Sequence, residues 1–254
     1  MQNSISIEDT ITVVRNFLRV GKINEAVENL QIILDSRDIT ERHEIIVDIL
    51  NIRVLMELGQ IEEATALVEA SSYGLQPDRF KPEFIEIQTL KAILYFLSSK
   101  INESELILTK ALSNLEKFNE TDKTLCEESI SEINNLLGLM LSNNGEWNEA
   151  YLEFQKALAY RKRVNHRKEM GMIYYNIANV YRFQQKSQLS LSTLEEAIRT
   201  FKDIDYVEGL EASYNTIKEV YAETGETDTA FLYKQKLDEL SERINFKNYV
   251  KETA

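Results

Sequence analysis

The sequence predicts an all-α solenoid of about six helix hairpins, and three observations lead there. A six-residue segment recurs six times at a near-constant spacing. Apolar residues flank each copy at helical intervals. The 254 residues contain only two prolines and eight glycines, too few turn-formers for a β-rich chain.

The segments are Gly21–Ala26, Gly59–Ala64, Ser99–Ser104, Gly145–Ala150, Gln185–Ser190 and Gly225–Ala230. The first and third share Lys-Ile-Asn-Glu, and successive copies lie 38, 40, 46, 40 and 40 residues apart. Such a period marks a repeat architecture. Four residues before each segment stands a large side chain: Phe17, Leu55, Tyr95, Leu141, Tyr181 or Tyr221. Apolar residues follow four and seven positions after the final small one, as in Leu30 and Ile33 or Phe154 and Ala157. Spacings of three and four place them on one helix face. The glycine suits a helix end needing positive φ, and the small residue lets the second helix approach the first. Two connections, Gln76 to Pro82 and Asn119 to Thr124, are expected to be surface loops.

This pattern resembles the tetratricopeptide repeat. Asn176-Ile177-Ala178-Asn179-Val180-Tyr181 and Asn134-Asn135-Leu136-Leu137-Gly138-Leu139 are similar to the family's first helix, with Gly138 at its helix-contact glycine. The period of about 40 resembles the longer-helix variety of kinesin light chains and bacterial peptide receptors. The resemblance covers roughly Ile7 to Arg243 and is weaker in the second and third units, where Asp48, Asn51, Gln88 and Lys91 take places usually apolar or small. It implies a right-handed α-solenoid forming a single domain, 1–254, with units near 7–40, 45–75, 83–118, 128–164, 168–204 and 208–243. Hairpins of this kind are stabilised by stacking on their neighbours. Phe231 to Ile244 is therefore expected to close the carboxyl end, and 245–254 to form a frayed tail.

The charge excludes some functions. Against 29 basic residues stand 42 acidic ones, a formal net charge of −13, which repels phosphate backbones; nucleic acid is not an expected partner. No apolar run approaches the ~20 residues that span a bilayer, Met1 to Ile7 shows no leader pattern, and one cysteine allows no internal disulfide. A cytoplasmic location without membrane contact is expected. His43 and His166 are far apart, and no phosphate loop or metal spacing appears. Cys126 sits beside Glu127 and Glu128, which disfavour a thiolate. Trp147 is expected to pack between hairpins. The chain thus reads as a binding protein, not an enzyme, with no cofactor.

The resemblance places a concave surface on the first helix of each pair. The side chains expected there are Arg15, Arg19 and Arg53 in an amino-terminal zone; Ile93, Phe96, Leu97 and Leu139 in the middle; and Asn135, Asn143, Tyr175, Asn176, Asn179, Arg182 and Asn215, edged by Glu219 and Glu223, toward the carboxyl end. Asparagine amides both donate and accept, so a row of them can pair with an extended peptide backbone; related proteins hold peptides this way, at places matched by Asn176 and Asn179. Arg182 could grip a carboxylate. The lysine and asparagine set of the chaperone-tail clamp is missing. A basic cluster, Arg161-Lys162-Arg163 with His166-Arg167-Lys168, either complements a helix dipole or docks an acidic segment. The expected function is an adaptor or scaffold binding a protein or peptide, as an extended segment or a helix. Alternatives are a peptide-responsive regulator and a self-associating scaffold using the tail Asn245 to Ala254.

Overall fold

The computed structural model describes residues 6–36 and 38–253, with side chains of the last helix through 242. Met1–Ile5 and the side chains of the tail Asn245–Ala254 lie outside the described residues. Thirteen helices make up the described residues: α1 (Ile7–Arg19), α2 (Ile23–Leu34), α3 (Glu41–Glu57), α4 (Ile61–Ser72), α5 (Lys81–Leu97), α6 (Ile101–Lys117), α7 (Glu120–Leu125), α8 (Glu127–Asn143), α9 (Trp147–Arg163), α10 (Arg167–Phe183), α11 (Ser187–Asp203), α12 (Val207–Glu223) and α13 (Thr227–Thr253). Six hairpins result: α1/α2, α3/α4, α5/α6, α8/α9, α10/α11 and α12/α13. The chain divides into two compact units, Met1–Ile133 and Asn134–Ala254, so that Glu128 and Glu132 of α8 belong to the first and Asn135 and Leu139 to the second.

One local device makes every hairpin. The first residue of each recurring segment has positive φ: Gly21 (73°), Gly59 (73°), Ser99 (60°), Gly145 (79°), Gln185 (60°) and Gly225 (82°). The next residue's N–H then reaches back to the carbonyl of the large residue five before it, from Lys22 to Phe17, Gln60 to Leu55, Lys100 to Tyr95, Glu146 to Leu141, Lys186 to Tyr181 and Glu226 to Tyr221, all at 2.8–2.9 Å. Left-handed backbone closing a six-to-one bond is the Schellman ending. Ser99 and Gln185 adopt it without glycine's freedom, at a cost. The second helix starts at once, and its small residue is buried in each case: Ala26, Ala64, Ser104, Ala150, Ser190 and Ala230.

The larger residues behind them form the core. Leu30 and Ile33 pack with Val14, Val47 and Leu50; Phe154 and Ala157 pack with Ile173 and Ile177. A Cβ on Gly138 would lie 2.6 Å from Phe154 Cε1, and one on Gly171 2.4 Å from Phe201 Cε1, so these helices meet where only hydrogen fits. Trp147 stacks on Phe183 with ring centroids 5.0 Å apart.

The units differ in how one hairpin leads to the next. In the second unit the same turn is reused: Asn165 (φ 52°) and Asp205 (φ 51°) are left-handed, with His166 N bonded to Arg161 O and Tyr206 N to Phe201 O, both at 3.0 Å. The spacing there is therefore a uniform 40. In the first unit the links are irregular. Asn119 to Thr124, expected as a loop, is mostly helix α7, because the Asn119 side chain accepts the Asp122 N–H and caps it. Lys81 and Pro82 open α5, where proline's missing N–H costs nothing. Thr40 and His43 form a reciprocal capping box at the start of α3, which gives His43 a structural role. Asp48 and Lys91, polar where the pattern is apolar, bond Ser71 (2.8 Å) and Ser72 (3.3 Å) of α4.

Candidate functional site

In the second unit, the first helices α8, α10 and α12 carry the polar row. Asn176 Nδ2 donates to Asn135 Oδ1 at 3.4 Å, a long bond that a better acceptor can displace. Both asparagines are half-buried, as is Asn179 one turn along α10; the Asn179 amide makes no side-chain hydrogen bond among the described residues. Amides half out of water with incomplete bonding are competent to receive a peptide backbone.

Tyr175 packs beneath this row against Ala178, Leu194 and Ile217. Its hydroxyl accepts from Thr216 Oγ1 at 3.4 Å, so it braces α10 on α12. Leu139 packs into the cluster around Phe154.

Arg182 is already engaged. Its Nε donates to both oxygens of Glu223 (3.2 and 3.1 Å), and its terminal nitrogens reach Glu219 and Glu223. The hydrogen bond from Arg182 holds the Glu223 carboxyl below its ordinary value, and the same bonds raise Arg182. Asn215 donates to Glu219 at 2.9 Å and accepts from Lys218 Nζ at 2.7 Å. The edge of the row is thus an ordered chain, Arg182–Glu219–Asn215–Lys218. A ligand carboxylate at Arg182 would have to displace Glu219 or Glu223.

The first unit is organised differently. Arg15 bonds Glu86 through both terminal nitrogens (3.4 and 3.0 Å). Arg53 binds the same carboxylate at 2.9 and 3.0 Å and forks onto Glu132 at 2.7 and 3.1 Å. Arg19 pairs with Glu128 at 2.9 Å. Three guanidinium groups from α1 and α3 are matched by three carboxylates from α5 and α8. Burial opposes charge on Glu86, yet Arg15 and Arg53 pull its carboxyl below the usual range; burial likewise opposes Arg53, and Glu132 and Glu86 overcome it. Side-chain exposure of Arg53, Glu86 and Glu132 is 18%, 9% and 8%. The amino-terminal arginines expected to face a partner are thus compensated within the chain. Phe96 lies half-buried near the end of α5, apart from this network.

The basic cluster is also built into the structure. Arg161 is fully buried and paired with Glu169, His166 lies 3.5 Å from Glu169, and Arg167 pairs with Asp203. Lys162 and Lys168 sit over the rings of Tyr174 and Tyr206 at 5.2 and 5.1 Å. Cys126 is buried, and its thiol is pushed up to about 11, first by burial and then by Asp122, Glu83 and Glu86. Among the described residues no cluster of His, Cys, Asp or Glu is placed to hold a metal ion, and no helix is long and apolar enough to cross a membrane.

Sequence reasoning missed the acidic half of the first-unit network, Glu86, Glu128 and Glu132. Their positions on first helices, in register with the arginines, were the available signal.

Comparison with known proteins agrees with this architecture. Residues 129–203 match the family model described as tetratricopeptide repeat. No curated protein matches the chain. BtubC (BKLC) from P. vanneervenii is similar in structure at 14% identity, over 95% of this chain and 93% of that one, with a TM-score of 0.59. The putative kinesin light chain repeats of Podosopora anserina are similar at 16% identity over 82% and 99%, with a TM-score of 0.57. The Rap conjugation gene regulator of plasmid pLS20, solved in complex with the Phr* peptide, is similar at 14% identity over 94% and 75%, with a TM-score of 0.59.

Proposed function

We propose that this chain, a tetratricopeptide-repeat protein similar to the longer-helix variety, is an adaptor that holds an extended peptide segment of a partner protein along α8, α10 and α12. The observation that carries this reading is the row Asn135, Asn176 and Asn179: half-buried amides, one long bond between two of them, and a fixed ionic edge at Arg182, Glu219 and Glu223. The pLS20 regulator, whose fold is similar, was solved with a peptide bound, and this supports a peptide as the ligand class. The pairs with Glu219 and Glu223 fix the place of Arg182 at one end of the row.

The test compares wild type with the Asn176→Ala, Asn179→Ala double variant in affinity capture from native lysate. A partner held by wild type should be lost by the variant, with circular dichroism unchanged, since net hydrogen bonds of about 0.5–1.5 kcal/mol each are removed from a face that does not form the core. Equal retention by both proteins would remove the asparagine row as the binding surface.

A further inference from the structure

A pocket of about 330 Å³ opens on the second unit between α9 and α11, with α10 as its floor. Tyr174, Ile177 and Tyr181 of α10, Gln155 of α9, and Thr193 and Glu196 of α11 line it. At 100° per residue, Tyr174, Ile177 and Tyr181 lie on the side of α10 turned away from Asn176, Asn179 and Arg182. It is therefore a separate site from the asparagine row.

The next hairpin shows what such a space accommodates. Forty residues on, α12 repeats the floor as Tyr214, Ile217 and Tyr221. There the position of Thr193 is taken by Tyr233, whose ring lies 6.0 Å from Tyr214 and 5.9 Å from Tyr221. The position of Glu196 is taken by Lys236, whose ammonium sits 4.1 Å from the Tyr233 ring centre and 5.9 Å from that of Tyr214. The sixth hairpin thus fills its own pocket with a flat ring and a cation. The fifth keeps the two-tyrosine wall but replaces the ring with Thr193 and the cation with a carboxylate.

We infer that the α9–α11 pocket is a second docking site, which takes an arginine side chain of a partner protein. Tyr181 already meets the Tyr151 ring at 5.6 Å, and Tyr174 has the Lys162 ammonium 5.2 Å from its ring centre. A guanidinium adds a plane and a charge at the two places that Tyr233 and Lys236 take in the sixth hairpin and that Thr193 and Glu196 leave without them. Its plane stacks on a tyrosine face as the Tyr233 ring does, and its charge sits among the rings as that of Lys236 does. Glu196 accepts its fork in two parallel hydrogen bonds. Among the described residues the Glu196 carboxylate is held by Arg199 of its own helix, a pair exposed at both ends, which an incoming arginine can replace. The volume stands at the low end for ligand pockets and suits one side chain, not a helix. The net charge of −13 favours the approach of basic segments to the chain as a whole.

The test follows the Ile177 methyl resonance by NMR while titrating the peptide acetyl-Ala-Arg-Ala-amide and its citrulline counterpart, which keeps the planar shape but not the charge. The arginine peptide should shift the methyl saturably, with the citrulline peptide at least tenfold weaker. Glu196→Gln should weaken the arginine peptide to the citrulline level. Thr193→Tyr with Glu196→Lys rebuilds the filled arrangement of the sixth hairpin and should abolish the shift. Asn176→Ala with Asn179→Ala should leave it unchanged, which keeps the outcome separate from the fate of the asparagine row. No shift in wild type, equal binding of citrulline, tighter binding of a phenylalanine peptide, or undiminished binding by the filled variant would each overturn the assignment.

Discussion

The two units build their hairpins identically and then treat the first-helix faces in opposite ways. In the first unit Arg15, Arg19 and Arg53 are matched by Glu86, Glu128 and Glu132, so the face is bonded to itself. In the second, the comparable helices carry amides whose bonding is incomplete. The same repeat thus makes a self-bonded brace at one place and a receptive row at another. The difference lies in a few side chains at first-helix positions that the hairpin core does not use.

Removing one partner of the brace should have the largest effect. Glu86→Gln leaves Arg15 and Arg53 under-compensated, and loss of a buried partner costs about 3–5 kcal/mol; hydrogen exchange should show α3 and α5 opening far more often while α10 stays protected. Equal protection across both units would mean that the brace is not structural. Gly171→Ala drives a methyl group into Phe201 and should cost about 1–3 kcal/mol by overpacking, read as a lowered midpoint in urea.

Acid provides a subtler contrast. The Glu86 carboxyl is depressed, so its contribution is fully present above the unfolded carboxylate pKa of about 4.3 and is lost as pH falls through the lower folded value. Melting followed by circular dichroism should therefore weaken on acidification below about pH 4, and Glu86→Gln should flatten that dependence. Gln185→Gly relieves a left-handed non-glycine residue and should stabilise by up to about 1 kcal/mol. Smallest of all, Arg182→Ala breaks partly exposed pairs and should change stability by no more than about 1 kcal/mol. A cost as large as that of Glu86→Gln would erase the distinction between the units.

Much of this was legible in the sequence because the relevant forces are local. The turn residue, the large residue before it and the small residue after it act within one hairpin, and the positions read as core, such as Ala26, Leu30, Phe154 and Ala157, are buried. The resemblance carried by Asn134–Leu139 and Asn176–Tyr181 lies within the stretch that matches the family model. The candidate site was less legible. Arg15, Arg19, Arg53 and Arg182 look identical as letters whether they await a partner or hold one. Asn119 to Thr124 read as a loop because a single capping side chain decides a six-residue helix.

The sequence by itself determined the hairpin, its period and its buried small residues, since each depends on neighbours within about one repeat. Only the tertiary structure decided which charges meet, because Arg19 and Glu128 are 109 residues apart and Arg53 and Glu132 are 79 apart. It also decided that the two-tyrosine wall of α10 borders an open pocket while that of α12 is filled. Both outcomes rest on long-range stacking, which brings together side chains from different repeats, and a repeat position alone does not say which of its neighbours a side chain will meet.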